Sequence, residues 1–343
     1  MNCGAAQERS WRHTWSRCSR LGGIGPIQKG ESLMKTMQAL LTSVALFALL
    51  LPVSSQAQQN VLNFTDREIP QGVLKQISQG KIVDIASSKS SGKNWGHGLS
   101  VVKLSGKTNH FGRDVNTGAY IDYWATVPGV RVWIGEYPWT RDRDIQTDST
   151  GWWTMYVIKY AGTNLEFSFV YEKEDWITTK SNAITITDED DTDLAIQYID
   201  PLYYTYYVKP YVQAVWLGAV PFQNAMVVTV GKSWASMHSD LLPHGDPGAT
   251  ASATPALGLG PIYFNEDVFP DPGQTTTSVD GGVTWLNMPL NQTYYVTAQK
   301  DGVSYPTVEF RIDEADLAYG VELYIASPPD SVTGDNSSAP GQP

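Results

Sequence analysis

The sequence predicts an all-β protein: two tandem antiparallel β-sandwiches behind a small mixed N-terminal segment. Three observations predict it. Short runs rich in Val, Ile, Thr, Tyr and Trp recur between turns of Gly, Asp and Pro, and such residues suit a pleated, half-buried surface. Apolar patterns of helical period are scarce. The same order of runs also occurs twice, with the division near Pro201. Each copy has a Pro, a Val-rich strand, a long excursion, a Thr/Asp/Gly turn, a Trp-containing strand and an aromatic strand.

At the N-terminus, Met34 to Gln38 carries Lys35, an apolar run follows from Ala39 to Val53, and small residues precede Gln58. That order predicts a secretory signal over 34–57. The run is short for a membrane span, which needs about 20 residues. Residues 1–33, with Arg9, Arg12, Arg17 and Arg20, do not fit such a signal and are expected to be upstream translation. Cys3 and Cys18 both precede the signal, so the exported chain can form no disulfide and no lipidated Cys can anchor it. The expectation is a secreted protein, periplasmic or extracellular and bacterial, with no stable membrane anchor.

Residues 58–118 read as an accessory segment with a short helix over Pro70–Ile77 and strands at Ile82–Ile85 and Leu99–Leu104. The first sandwich, 119–200, takes strands from Ile121–Ala125, Val130–Ile134, Trp152–Ile158, Leu165–Tyr171 and Ala183–Ile186. The second, 201–326, opens on an aromatic stretch from Tyr203 to Trp216. It continues with Met226–Val230, Val283–Met288, Thr293–Lys300, Val308–Ile312 and Val321–Ile325. Residues 327–343 are rich in Pro, Ser and Gly and are expected to be disordered.

The run Thr277-Ser278-Val279-Asp280-Gly281-Gly282-Val283-Thr284-Trp285-Leu286, followed by Tyr294-Tyr295-Val296-Thr297-Ala298, resembles the carboxypeptidase-regulatory-like domains, which belong with the transthyretin-like and Cna-B-like sandwiches. Thr147 to Trp152 is similar to the same turn in the first copy. Asn291-Gln292-Thr293 stands where that family usually has Gly. The resemblance spans about two-thirds of the exported part. It implies Ig-like, seven-stranded sandwiches used as structural or binding modules, and fold alone does not fix function. Some Cna-B-like domains carry a Lys–Asn isopeptide bond, and no such triad can be placed in this sequence.

Residues 1–57 hold six Lys/Arg and two Asp/Glu, which leaves 18 basic and 33 acidic residues after them, a net charge of −15. A field of that sign repels nucleic acid and anionic lipid headgroups. No G-x-S-x-G elbow, Cys nucleophile or phosphate-cradling loop is present after the signal.

Three groups of residues are candidate sites. His238, His244 and Asp246 share one loop, and imidazole and carboxylate together bind Zn²⁺; with water they would make a hydrolytic centre. Their spacing matches no standard zinc motif, and capping of the loop's own backbone is the competing use. His97 is a further ligand if the fold brings it near. Asp188, Asp190 and Asp193 offer hard oxygen ligands for Ca²⁺, as do Asn265, Glu266, Asp267 and Asp271 more weakly, against the alternative of solvated turns. Trp133, Trp152 and Trp153 are candidates for stacking on a ligand. Strand alternation puts the rings of Trp152 and Trp153 on opposite faces, so one at most is core. The expectation is therefore a non-catalytic binding or structural protein with a glycan or envelope protein as partner. The alternatives are a metal-dependent hydrolase on the His238/His244/Asp246 loop and a Ca²⁺-stabilised adhesion module.

Overall fold

The computed structural model describes residues 81–88, 98–121, 125–192, 194–231, 245–326 and 333–334, all within the unit Glu68–Pro343. The expected signal, the segment before it, the helix over Pro70–Ile77 and all of 327–343 but Thr333–Gly334 lie outside the described residues. The chain is all-β, with strands in several layered sheets.

Numbered in chain order, the largest sheet runs β12 (Ile262–Tyr263), β13 (Gly282–Leu286), β10 (Ala225–Thr229), β17 (Leu323–Ile325), β7 (Thr179–Ser181), β6 (Phe169–Glu172), β3 (Arg131–Ile134). Its strands are apolar at successive positions, which requires cover on both faces. Alternation then sorts the side chains into two cores. Met226, Val228, Val283, Trp285, Tyr324, Trp133 and Val170 point to one face and pack with Ala251, Tyr294, Val296, Phe310 and Ile312. Those partners come from a second sheet of β11 (Thr250–Thr254), β14 (Gln292–Lys300), β15 (Val303–Ser304), β16 (Val308–Ile312) and β18 (Thr333–Gly334). The intervening residues Val132, Ile134, Phe169, Tyr171, Ala225, Leu286, Leu323 and Ile325 face the other way.

That second face has two different covers. Over the half made by β3 and β6 lies the sheet β1 (Ile82–Asp84), β4 (Trp152–Tyr160), β2 (Leu99–Phe111), β9 (Ile196–Ile199), which contributes Val102, Leu104, Trp153, Met155 and Tyr198. The other half is met by a helical run, Pro201–Tyr203, then a π-helical turn Tyr204–Val208, then Lys209–Trp216, together α1. Tyr203, Tyr204 and Val212 of α1 join the same core. Pro201 opens the helix, where its missing N–H costs nothing, and the Asp200 side chain accepts from the Tyr203 N–H at 2.8 Å.

Four features differ from the expected tandem arrangement. The two modules share one sheet, because β17 pairs with β7 in parallel, Leu323 opposite Thr179 and Ile325 opposite Ser181. Parallel ladders also join β1 to β4, β2 to β9 and β10 to β17. Strands that the sequence order makes equivalent sit in different places: β4, with Trp153, pairs with β1 and β2, while β13, with Trp285, pairs with β10 and β12. The strand Leu99–Phe111, from the expected accessory segment, pairs with β4 along nine residues and with β9 beyond.

The run Leu165–Tyr171 also divides. β5 (Leu165–Phe167) pairs with β8 (Ile184–Ile186), and β6 joins the seven-stranded sheet. The break falls at Ser168, whose N–H and hydroxyl both donate to the Glu136 carboxylate at 2.8 Å. At the module junction Lys180 of β7 is buried at 1 % exposure. It is held by both carboxylate oxygens of Asp316 (3.0 and 2.9 Å) and by the Arg311 carbonyl (2.9 Å). Asp316 lies in the short helix α2 (Glu314–Ala318) and also accepts from the Tyr324 hydroxyl at 3.0 Å.

Candidate functional site

Where α1 crosses the central sheet, the helix and the strands do not close completely. A cavity of about 60 Å³ remains between Tyr204 and Val212 of α1, Val227 of β10, Leu323 of β17, and Phe264 and Asp280 at one side. Its walls are mainly apolar, with Gln197, Thr229 and Thr284 also on the lining. The volume suits one small branched group, since a site for a single water needs about 10–15 Å³.

Asp280 is placed there by the Asp-Gly-Gly turn that leads into β13. Its N–H donates to Ser278 Oγ (3.1 Å), and its Oδ2 accepts from the Gly282 N–H (3.0 Å). Gly281 has φ +77°, and a Cβ there would stand 2.5 Å from the Val230 carbonyl. A Cβ on Gly282 would meet the Phe264 ring at 2.7 Å. The two glycines therefore let the turn press Asp280 against the pocket. Burial pushes its carboxyl up to about 7, and the Gly282 N–H offsets this only in part.

A fixed ion pair stands beside the same pocket. Lys209 Nζ is 2.6 Å from Glu322 Oε1, which also accepts from the Tyr204 hydroxyl at 2.7 Å. The ammonium lies 5.4 Å from the centre of the Phe222 ring and 5.8 Å from that of Tyr204. Burial and the Glu322 charge push the Tyr204 phenol well up.

The residues singled out from sequence fall elsewhere. Asp246 is 2 % exposed, and both its oxygens are engaged, Oδ2 by the Tyr305 hydroxyl (2.6 Å) and Oδ1 by Lys300. The Thr277 hydroxyl holds its carbonyl at 2.6 Å. The carboxylate fastens its loop to the β14–β15 hairpin. His238, His244, His97 and Asp193 lie outside the described residues. Asp188 accepts from Lys159, whose side chain is fully buried, and from the Gly162 N–H (2.6 Å). The Lys159 hydrogen bond first, then Gly162, holds its carboxyl below the ordinary range.

Asp190 Oδ1 accepts from the Lys103 N–H at 2.8 Å. In the weaker acidic group, Asn265 Oδ1 accepts from the Asp267 and Phe269 N–H groups (3.0 and 3.2 Å), Asp271 Oδ1 from the Gly273 N–H (2.7 Å), and Asp267 pairs with Arg113. Among the described residues no group of three or more His, Cys, Asp or Glu is arranged to hold a metal ion. The described carboxylates instead accept from backbone N–H groups and pair with Lys and Arg side chains.

Burial corrects the stacking set. Trp133 and Trp153 are each 1 % exposed; the first meets Tyr319 edge-on at 4.8 Å and the second packs on Phe169 at 5.2 Å. Neither ring can offer a face to a ligand. Trp152, 37 % exposed, keeps one. Sequence reasoning used Asp280 only as a turn residue; nothing in the chain's local pattern marks which turn carboxylate will border a pocket.

Among the described residues no helix is long and apolar enough to cross a membrane. No family model matches the chain, and no curated protein matches it. Among solved structures the chain is similar to the shaft pilin SpaA of Lactobacillus rhamnosus GG, at 10% identity over 69% of this chain and 99% of that one, with a TM-score of 0.20. A double mutant of the same pilin gives 11% identity, the same coverage and a TM-score of 0.20. A Bacteroides uniformis protein described as carbohydrate-binding gives 10% identity, 61% and 96% coverage, and a TM-score of 0.12. Likeness at these scores carries no argument about function.

Proposed function

We propose that this chain is a non-catalytic binding or structural β-sandwich protein of the cell envelope or extracellular space, and that the pocket under α1 receives a small apolar group of its partner. The observation that carries the reading is the pocket itself: mainly apolar walls, a single bordering carboxyl, and a position between a helix and a sheet that are both fixed by the core. Sites of this make-up, a concave apolar surface with few polar groups, are where ligands are seated. Export rests on the signal pattern over 34–57. Trp152 offers a second, flat contact to a glycan or an envelope protein.

Filling the pocket tests the reading. Val227→Phe places a ring into the space that Val227 lines, at a strain of about 1–3 kcal/mol. Small branched alcohols titrated into the wild-type chain should shift NMR resonances of Val227, Leu323 and Val212, and Val227→Phe should abolish those shifts while the far-ultraviolet circular dichroism is unchanged. Equal shifts in both proteins would remove the pocket as the ligand site.

A further inference from the structure

Asp280 borders the apolar pocket, and its only hydrogen bond among the described residues that reaches the carboxylate is the Gly282 N–H on Oδ2. No cation pairs with it among the described residues. Among the described residues the charged and titratable groups that act in its neighbourhood are Tyr203 of α1, Tyr120 and Arg113 of the 112–121 loop, and Asp267 of the loop after β12. Arg113 is committed: Nη2 donates to the Tyr120 hydroxyl (2.6 Å), to the Asp267 carbonyl (2.9 Å) and to Asp267 Oδ1 (3.1 Å). An unpaired carboxylate against apolar walls is costly, and a ligand cation removes that cost.

The fold already uses this chemistry a short way along the same pocket. There the Lys209 ammonium sits on Glu322 and over the rings of Phe222 and Tyr204. A carboxylate together with aromatic faces replaces the water that an ammonium loses. At Asp280 the carboxylate and the rings of Tyr203 and Phe264 are in place, and among the described residues no ammonium pairs with it.

We infer that Asp280 recognises a ligand ammonium group carried on a short branched apolar stem, the stem entering the pocket and the ammonium meeting Oδ1. The inference rests on the pocket being the ligand site. Two sources share the chemistry: a free alkylamine, and the α-amino end of a peptide whose first residue is apolar. The carboxyl must be ionised to pair with the ammonium, and burial places its change near about 7, so binding strengthens as pH rises through that range.

The test is an NMR titration of the purified chain with isobutylamine and with isobutanol, which has the same shape without the charge. At about pH 8 the amine should bind about tenfold tighter than the alcohol, and at about pH 5 that advantage should disappear. Asp280→Ser, whose hydroxyl can still accept the turn's N–H bond, should lose the amine preference and keep the alcohol. Amine and alcohol binding alike at both pH values overturns the inference and leaves the pocket reading standing; absence of any shift from either probe overturns the pocket reading too. The tripeptide amide Val-Gly-Gly and its N-acetylated form then separate the sources. Binding of the free peptide alone supports the peptide terminus, binding of isobutylamine without the peptide supports a small amine, and equal binding of the acetylated form overturns recognition of an ammonium.

Discussion

Lys180→Met is expected to destabilise the chain by about 3–5 kcal/mol, the range for leaving a buried charge without its partner. Lys180 stands in the middle of the seven-stranded sheet, opposite Tyr324 across the parallel β7–β17 junction. Its ammonium is the cation that Asp316 faces, and the Asp316 side chain is itself only 5 % exposed. Met fills the stem's volume, so the loss is electrostatic rather than a cavity. The remaining donors to Asp316 are the Tyr324 hydroxyl and the Asp313 N–H, both at 3.0 Å. They solvate a carboxylate poorly compared with water. Neutralising it in the double variant Lys180→Met/Asp316→Asn should recover a large part of the loss, because the amide oxygen can accept from the same donors. Urea unfolding of the four proteins gives the cycle. If the two single losses simply add in the double variant, the pair is not coupled and the junction is held by its backbone ladder and apolar core alone.

Much of the strand content was legible because strand residues announce themselves by type: Val308–Ile312 forms with the bounds that its pattern implies, and the ends of β3, β10 and β14 move by only a residue or so. Which sheet a strand enters was not legible. β4 and β13 look alike in sequence, yet one is in the four-stranded sheet and the other in the seven-stranded sheet. Pairing is decided by distant partners such as Leu323 opposite Thr179, which no local pattern encodes. The helix α1 was hidden by its composition: Tyr203, Tyr204, Tyr206 and Tyr207 favour strands. The start signal was nonetheless present in Asp200-Pro201, an N-cap residue followed by proline at the first helical position. Alternation also foretold that Trp152 and Trp153 would part, one exposed and one buried. The pocket carboxyl could not be read at all, since Asp280, Asp148 and Asp271 all make similar turn bonds and differ only in what the fold packs over them.

Removing the Asp280 charge gives the second large effect, and its sign is opposite to that of Lys180. The Asp280 carboxyl titrates near about 7 when folded, against 3.8 as its ordinary value. A raised carboxyl favours the folded state while it stays protonated. That contribution is complete below the unfolded value and is lost as pH climbs through the folded one. Between about pH 4 and about pH 7 the wild-type chain therefore loses stability that Asp280→Asn keeps.

At about 1.4 kcal/mol per pH unit the full difference would be about 4.5 kcal/mol, and because the side chain retains some solvent contact, about half of that, about 2 kcal/mol, is expected at about pH 8. The amide oxygen still accepts the Gly282 N–H, so the turn survives. Asn-Gly sequences deamidate and would restore the acid, so Asp280→Ser serves as the control that cannot revert. Unfolding curves for the three proteins at about pH 4, 6 and 8 decide the matter. Wild type and variant should coincide at the acid end and separate as the carboxyl ionises. A constant offset at all three pH values would mean that Asp280 is solvated, that its charge is not held against the pocket, and that an ammonium there would gain no more than at any surface carboxylate.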